Sequence, residues 1–328
     1  MGSHSDFKNN SQDINTSNVN LYYFKNITKN SYAYYDIDNT FSVIKSIDNI
    51  LLLIYSNKKK SIISLNLINY QIITEIKNAH NNFITNFRHY LDNINKRDLI
   101  LSISLLDNNI KLWNLKNWNC LLDIKNINNG GELYSACFLN DNNKIYILTS
   151  NSNIYWKRDG NEFIKVYNFN GNKIKEINDS CDRIVYIDNY YDKKSSKNYI
   201  ITGNYGYVKS YDYNKNKLYH KYLSKYSGKH FSIIVKYIEK NIKLIESSCD
   251  NFDGFIRIWN FHSGKLLNKI KPISKELYGI CLWDNRHLFV GDQLRNIILM
   301  DILEKKTIKI FKGHENNVLT LKKINHPL

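Results

Sequence analysis

The longest apolar run in this 328-residue chain is Ile50 to Tyr55, far too short to cross a bilayer as a helix. No signal peptide stands at the N-terminus, and Met1-Gly2 is followed by Asp6 where a myristoylation motif needs Ser or Thr. The five cysteines, Cys120, Cys137, Cys181, Cys249 and Cys281, include no C-x-x-C pair and no zinc-ligand spacing. An odd, scattered set of this kind fits a reducing compartment, where a strand cysteine acts as a small apolar side chain. These absences point to a soluble intracellular protein, in the cytoplasm or nucleus. Catalytic motifs are missing too: there is no G-x-S-x-G, no P-loop, no H-E-x-x-H and no glycine-rich dinucleotide turn. No enzyme activity and no cofactor or metal is therefore expected. Proline and methionine occur twice each, while Asn, Lys, Ile and Tyr abound. All four abundant residues have A/T-rich codons, so the bias reads as genomic, and the net charge of +16 is in part its product. Lysine is spread along the chain, its longest pure run being Lys58-Lys59-Lys60.

What the chain does contain is a period. Six times a β-rich run of the form apolar–x–apolar–bulky ends in an Asx residue: Leu65-Asn66, Trp113-Asn114, Tyr167-Asn168, Tyr211-Asp212, Trp259-Asn260 and Met300-Asp301. The spacings are 48, 54, 44, 48 and 41 residues. A period of this length marks an array of supersecondary units that bury their apolar faces against one another. Short apolar runs separated by Asn/Asp/Gly turns recur in fours, the signal for antiparallel strands. The segment Glu132-Leu133-Tyr134-Ser135-Ala136-Cys137 returns 144 residues later as Glu276-Leu277-Tyr278-Gly279-Ile280-Cys281.

With these residues in view, the chain resembles the WD40-repeat family. Trp113-Asn114 and Trp259-Asn260 stand where that family has Trp-Asp, Gly313-His314 matches its Gly-His, and Ala79-His80 is a degraded copy of the same turn. Asp107 and Asp253 each lie six residues before their Trp, the place of the family's tight-turn Asp. The resemblance implies an all-β fold: a seven-bladed WD40-type β-propeller, its last blade closed by N- and C-terminal strands. Residues 1–20 read as a flexible tail and 21–328 as one propeller domain. The expected blades are 41–76, 80–125, 132–178, 183–223, 231–271 and 276–311, the last joining 313–328, with an inner strand at 317–323, to 21–38. That last blade comes out one strand short, which points to a C-terminal truncation. The family's His–Ser–Asp–Trp network is expected from His80, Ser104, Asp107 and Trp113, as a structural stitch.

The resemblance also implies a function class, a non-enzymatic scaffold for protein partners, without naming them. Propellers of this kind dock ligands on the loops before the first strand and between the second and third strands. Those loops contribute His80, Asn82, Glu132, Tyr134, Tyr205, His230, Phe252, Glu276, Tyr278, Arg295 and Glu315. The most distinctive segment is the long loop 151–162 with Tyr155, Trp156, Lys157 and Arg158, residue types that dominate interfaces. Folding of Trp156 back onto its own blade is the competing reading. The basic stretch 190–197, which opens with Tyr190-Tyr191, combines rings and cations as single-stranded nucleic-acid sites do, or is a low-complexity insertion. Trp283-Asp284-Asn285-Arg286 spells a ligase-adaptor docking motif, but it falls at the end of a first strand rather than a third. The alternative expectation is a propeller that binds RNA or an anionic membrane through its basic surface.

Overall fold

The computed structural model describes residues 41–56, 60–125, 133–150, 162–179, 184–204, 206–223, 230–250, 253–273, 275–314, 317–318 and 321–323. Everything described lies in one compact unit, residues 37–328. The described residues form six four-stranded antiparallel sheets, each a meander in sequence order. The first is β1 (Phe41–Lys45), β2 (Leu51–Ser56), β3 (Ile62–Asn66) and β4 (Ile72–Ile76). The second is β5 (Ile84–Asp92), β6 (Arg97–Ser104), β7 (Asn109–Asn114) and β8 (Cys120–Ile124). The third is β9 (Ala136–Asp141), β10 (Lys144–Ser150), β11 (Glu162–Tyr167) and β12 (Lys173–Asp179). The fourth is β13 (Ile184–Asp192), β14 (Lys197–Asn204), β15 (Tyr207–Asp212) and β16 (Lys217–Leu223). The fifth is β17 (His230–Ile238), β18 (Asn241–Asp250), β19 (Asp253–Asn260) and β20 (Leu266–Ile270). The sixth is β21 (Leu277–Leu282), β22 (His287–Asp292), β23 (Asn296–Asp301) and β24 (Lys306–Lys312). Innermost strands touch in succession, β1 on β5, β5 on β9, β9 on β13, β13 on β17 and β17 on β21, so the sheets are the blades of a β-propeller.

Strand alternation builds the core. Successive side chains point to opposite faces, and the second to fifth blades each have a described neighbour on both. Leu99, Leu101 and Ile103 of β6 therefore face the third blade, while Ile100 faces the first. Ile200 of β14 faces the third blade, and Tyr199 and Ile201 face the fifth. Five buried clusters result, one at each interface between consecutive blades. This explains why the second and third strands read as near-continuous apolar runs.

The Asx residue that ends each run has a local cause. Its side-chain oxygen accepts from backbone N–H groups of the turn into the fourth strand: Asn66 from Ile68, Asn114 from Lys116, Asn168 from Asn170 and Asn172, Asp212 from Lys215, Asn260 from Ser263, and Asp301 from Leu303 and Glu304. An acceptor oxygen is all that is used, so Asn serves where the resembled family has Asp. Immediately before the cap, every blade carries a register shift: between Ser64 and Leu65, Leu112 and Trp113, Val166 and Tyr167, Ser210 and Tyr211, Ile258 and Trp259, and Leu299 and Met300. The bulge twists the outer strand away and helps keep the blade edge from pairing onward. Each turn then needs one left-handed residue, supplied by Tyr70, Trp118, Gly171, Asn216, Gly264 and Lys305.

The expected seventh blade is not among the described residues. Residues 21–38 lie outside them, and 317–318 and 321–323 carry no strand. A strand needs a hydrogen-bonded neighbour, and no described strand pairs with this segment. It is nevertheless docked. The Val318 N–H donates to Asp292 O at 3.2 Å, and a Cβ on Gly291 would collide with the Val318 carbonyl. Gly203 meets the His230 carbonyl in the same way where the fifth blade begins, and Leu133 N–H donates to Leu105 O where the third begins.

Candidate interaction surface

Of the residues expected to bind partners, Tyr155, Trp156, Lys157, Arg158, Tyr205 and Phe252 lie outside the described residues. Tyr134 is half-buried just before β9. Tyr278, in β21, donates its hydroxyl to Glu276 Oε2 at 2.9 Å, and its carbonyl accepts from Ser247 of the fifth blade. Arg295 is exposed at the β22–β23 turn with φ of 69°. Tyr278 and Arg295 thus share the sixth blade, and Tyr134 stands three blades away. The expected loop at 190–197 is a hairpin turn: Asp192 accepts from the Lys194 N–H at 3.0 Å and the Ser195 hydroxyl at 2.5 Å. Asp92 caps the β5–β6 turn likewise, binding Asn95 and Arg97. The motif at Trp283–Arg286 is also a turn, Asp284 accepting from the backbone of Arg286 and His287.

The structural network of the second blade departs from expectation at two residues, Ser104 and Asp107. His80 Nε2 lies 2.7 Å from Ser102 Oγ, and the Trp113 indole N–H donates to the same oxygen at 2.8 Å. The Ser104 hydroxyl, expected in that role, has no hydrogen bond. Register decides this. Ser102 pairs with Lys111, one diagonal step from Trp113, whereas Ser104 pairs with Asn109, two steps away. Asp107 does not reach His80 and instead accepts from the Asn82 N–H at 2.8 Å. Burial, reinforced by Lys111, pushes His80 down to about 4 against the weaker pull of Asp107 and Asp123, so it is neutral near pH 7. The Trp259 indole has no equivalent bond. Asp253 lies in β19 opposite Asp250 and its side chain is outside the description, as is that of Phe252. Gly313 sits at φ 142° just after β24, and burial lowers the half-buried His314.

Trp259 lacks its acceptor because Glu246 holds the place of Ser102. The same cross-strand layer can be followed around the ring. In the second blade Ser102, Lys111 and Asp123 are aligned, with Lys111 Nζ 3.6 Å from Asp123. Thr149, Lys165 and Glu176 are their counterparts in the third. In the fifth blade the acid has moved inward: Glu246, Arg257 and Lys269 are aligned. Glu246 Oε2 lies 2.6 Å from His230 Nδ1 and Oε1 lies 3.3 Å from Arg257 Nη1, which also donates to Ser248. His230, Glu246 and Arg257 are at most 2% exposed. Burial pushes the Glu246 carboxyl up, but His230 and Arg257 outweigh it and hold the group below the usual carboxylate range. Sequence reasoning passed over this triad. Its signal was an acid inside one apolar run, Ile245-Glu246, facing a base inside the next, Arg257-Ile258.

The inner strands carry a second polar group. Arg88 of β5 donates to Ala136 O at 3.3 Å, and its guanidinium lies 5.5 Å from the Tyr186 ring. The Tyr186 hydroxyl donates to Asp188 Oδ2 at 2.9 Å. Burial opposes the Arg88 charge, while Tyr186 and Asp188 offset it and raise the group overall. Lys322 is lowered by burial and then by the Arg88 charge.

The chain is a β-propeller with six four-stranded blades among its described residues. No protein-family model and no curated protein matches it. Among the described residues no helix is long and apolar enough to cross a membrane.

Proposed function

We propose that the chain is a non-enzymatic scaffold of the WD-repeat type that holds protein partners together in a multiprotein complex inside the cell. The observation that carries this reading is how the propeller uses its reactive residues. His80, Ser102 and Trp113, like His230, Glu246 and Arg257, are buried and bonded to one another across strands, where they stitch blades. The outward surface is left for recognition. A seven-bladed ring belongs to the same reading. Val318 meets the sixth blade as His230 meets the fourth, and β21 has no inner-strand contact with β1 of the kind that joins other neighbours.

Affinity recovery of the full-length tagged protein from its native cells, with and without nuclease, tests the proposal. A stoichiometric protein set that survives nuclease is expected. Recovery that collapses with nuclease overturns it in favour of the second reading, an RNA- or anionic-membrane-binding propeller. That reading is supported by the net charge of +16 with lysine spread along the chain.

A further inference from the structure

A cavity of about 470 Å³ opens between the second and third blades, at the end of the strands opposite the loops expected to bind partners. Its wall is formed by the β5–β6 turn, the β9–β10 hairpin and the β11–β12 turn, which bring Arg97, Asn143, Lys144, Phe169 and Ile174 together. The size is that of a pocket for a small ligand or a few side chains. Two features of the wall are chemically specific. The first is apolar: Ile174 is 47% exposed between two lysines of an outer strand, and Phe169 lies beside it on the same rim. The second is cationic: Arg97 and Lys144 stand at the opening. Arg97 is oriented, because Asp92 Oδ2 accepts from its Nε at 2.9 Å and its Nη2 at 2.6 Å. Those bonds leave Nη1 uninvolved. Of the acids nearby, Asp92 is committed to Arg97, and Asp141 accepts from Asn198 at 3.2 Å.

We propose that this cavity seats a peptide segment of a protein partner, with an apolar side chain against Phe169 and Ile174 and a neighbouring carboxylate on Lys144 and Arg97. The identity of the occupant as a protein rests on the scaffold reading, and the ring geometry supports it independently. A nucleic-acid base needs an open aromatic face. The Arg97 guanidinium already covers Phe169 at 5.4 Å, and Phe138 approaches it edge-on at 6.5 Å and 68°. What remains of Phe169 is a rim suited to aliphatic contact. A carboxylate at the opening would gain charge-assisted bonds from an arginine that needs no reorientation.

The test is selection of a random heptapeptide library on the full chain, with Lys144→Glu and Ile174→Asp in parallel. Both substitutions fall on exposed side chains, and melting curves report whether the variants remain folded. The expected pool pairs Asp or Glu with Leu, Ile or Phe, and its winners bind each variant about ten-fold more weakly or worse. A pool without acidic enrichment overturns the proposal, as does binding that neither substitution weakens. Displacement of a selected peptide by a single-stranded oligonucleotide, with that displacement lost in both variants, also overturns it and assigns the cavity to nucleic acid. Recovery from cells separates this proposal from its premise. A partner set that wild type and both variants retain alike sinks the cavity and leaves the scaffold reading intact, whereas loss of all stoichiometric partners from wild type sinks the scaffold reading.

Discussion

Replacing Ser102 by Ala probes the network at its hub. Ser102 Oγ accepts the Trp113 indole N–H at 2.8 Å and contacts His80 Nε2 at 2.7 Å, and all three side chains are buried. Removing that oxygen strands the indole N–H, which can only donate, at about 1–3 kcal/mol. Losing the His80 bond adds about 1 kcal/mol. The expected destabilisation is therefore about 2–4 kcal/mol, read from urea unfolding followed by tryptophan fluorescence and far-UV circular dichroism. Ser104→Ala is the internal control. Its hydroxyl has no hydrogen bond, so the change should stay within about 1 kcal/mol and can be stabilising. The cycle with Trp113→Phe isolates the indole contribution. In that background Ser102→Ala should cost about 1–3 kcal/mol less, because phenylalanine has no donor to strand. Equal costs for Ser102→Ala and Ser104→Ala, or a cost for Ser102→Ala below about 0.5 kcal/mol, would refute the reasoning.

Other consequences follow from the same geometry. Gly291→Ala should destabilise the full chain by about 1–3 kcal/mol through collision with the Val318 carbonyl, and the cost should largely vanish when residues 313–328 are removed; equilibrium unfolding of the four chains measures both. Lys305→Gly should stabilise by about 1 kcal/mol or less, since Lys305 holds φ at 58° where Gly264 fills the equivalent turn without strain; a higher urea midpoint at unchanged slope is the readout. Because His80 titrates at about 4 in the fold and near 6.5 when unfolded, the unfolded chain binds the extra proton between those values. Stability should be undiminished above pH 6.5 and fall by about 3 kcal/mol as pH drops through that window, and His80→Gln should flatten this segment of the stability–pH curve. Glu246→Gln removes the anion that Arg257 and His230 share in the core, so a loss of about 3–5 kcal/mol is expected by the same unfolding assay.

The repeat was legible because its causes are local. An Asx residue caps the turn that follows it, a bulky residue precedes the cap, and alternation along each strand sorts side chains between two faces. These effects act over a few residues, and they place the six sets of four strands in the sequence before any contact between blades is known. Even the replacement of Asp by Asn in the resembled motif has a local account, since only an acceptor oxygen is used.

The partners of individual side chains were not legible, because register and blade adjacency assign them. Ser102 and Ser104 lie on the same face of one strand, and only the pairing of β6 with β7 decides which of them meets Trp113. His230, Glu246 and Arg257 come from three strands and become a triad only when those strands align. The cavity beside Arg97 joins turns from two blades, so no single stretch of chain announces it. The sequence by itself determined the unit and its period, through propensity, alternation and capping. The tertiary structure alone decided which buried charges meet and where the surface opens, since those depend on contacts between residues far apart in the chain.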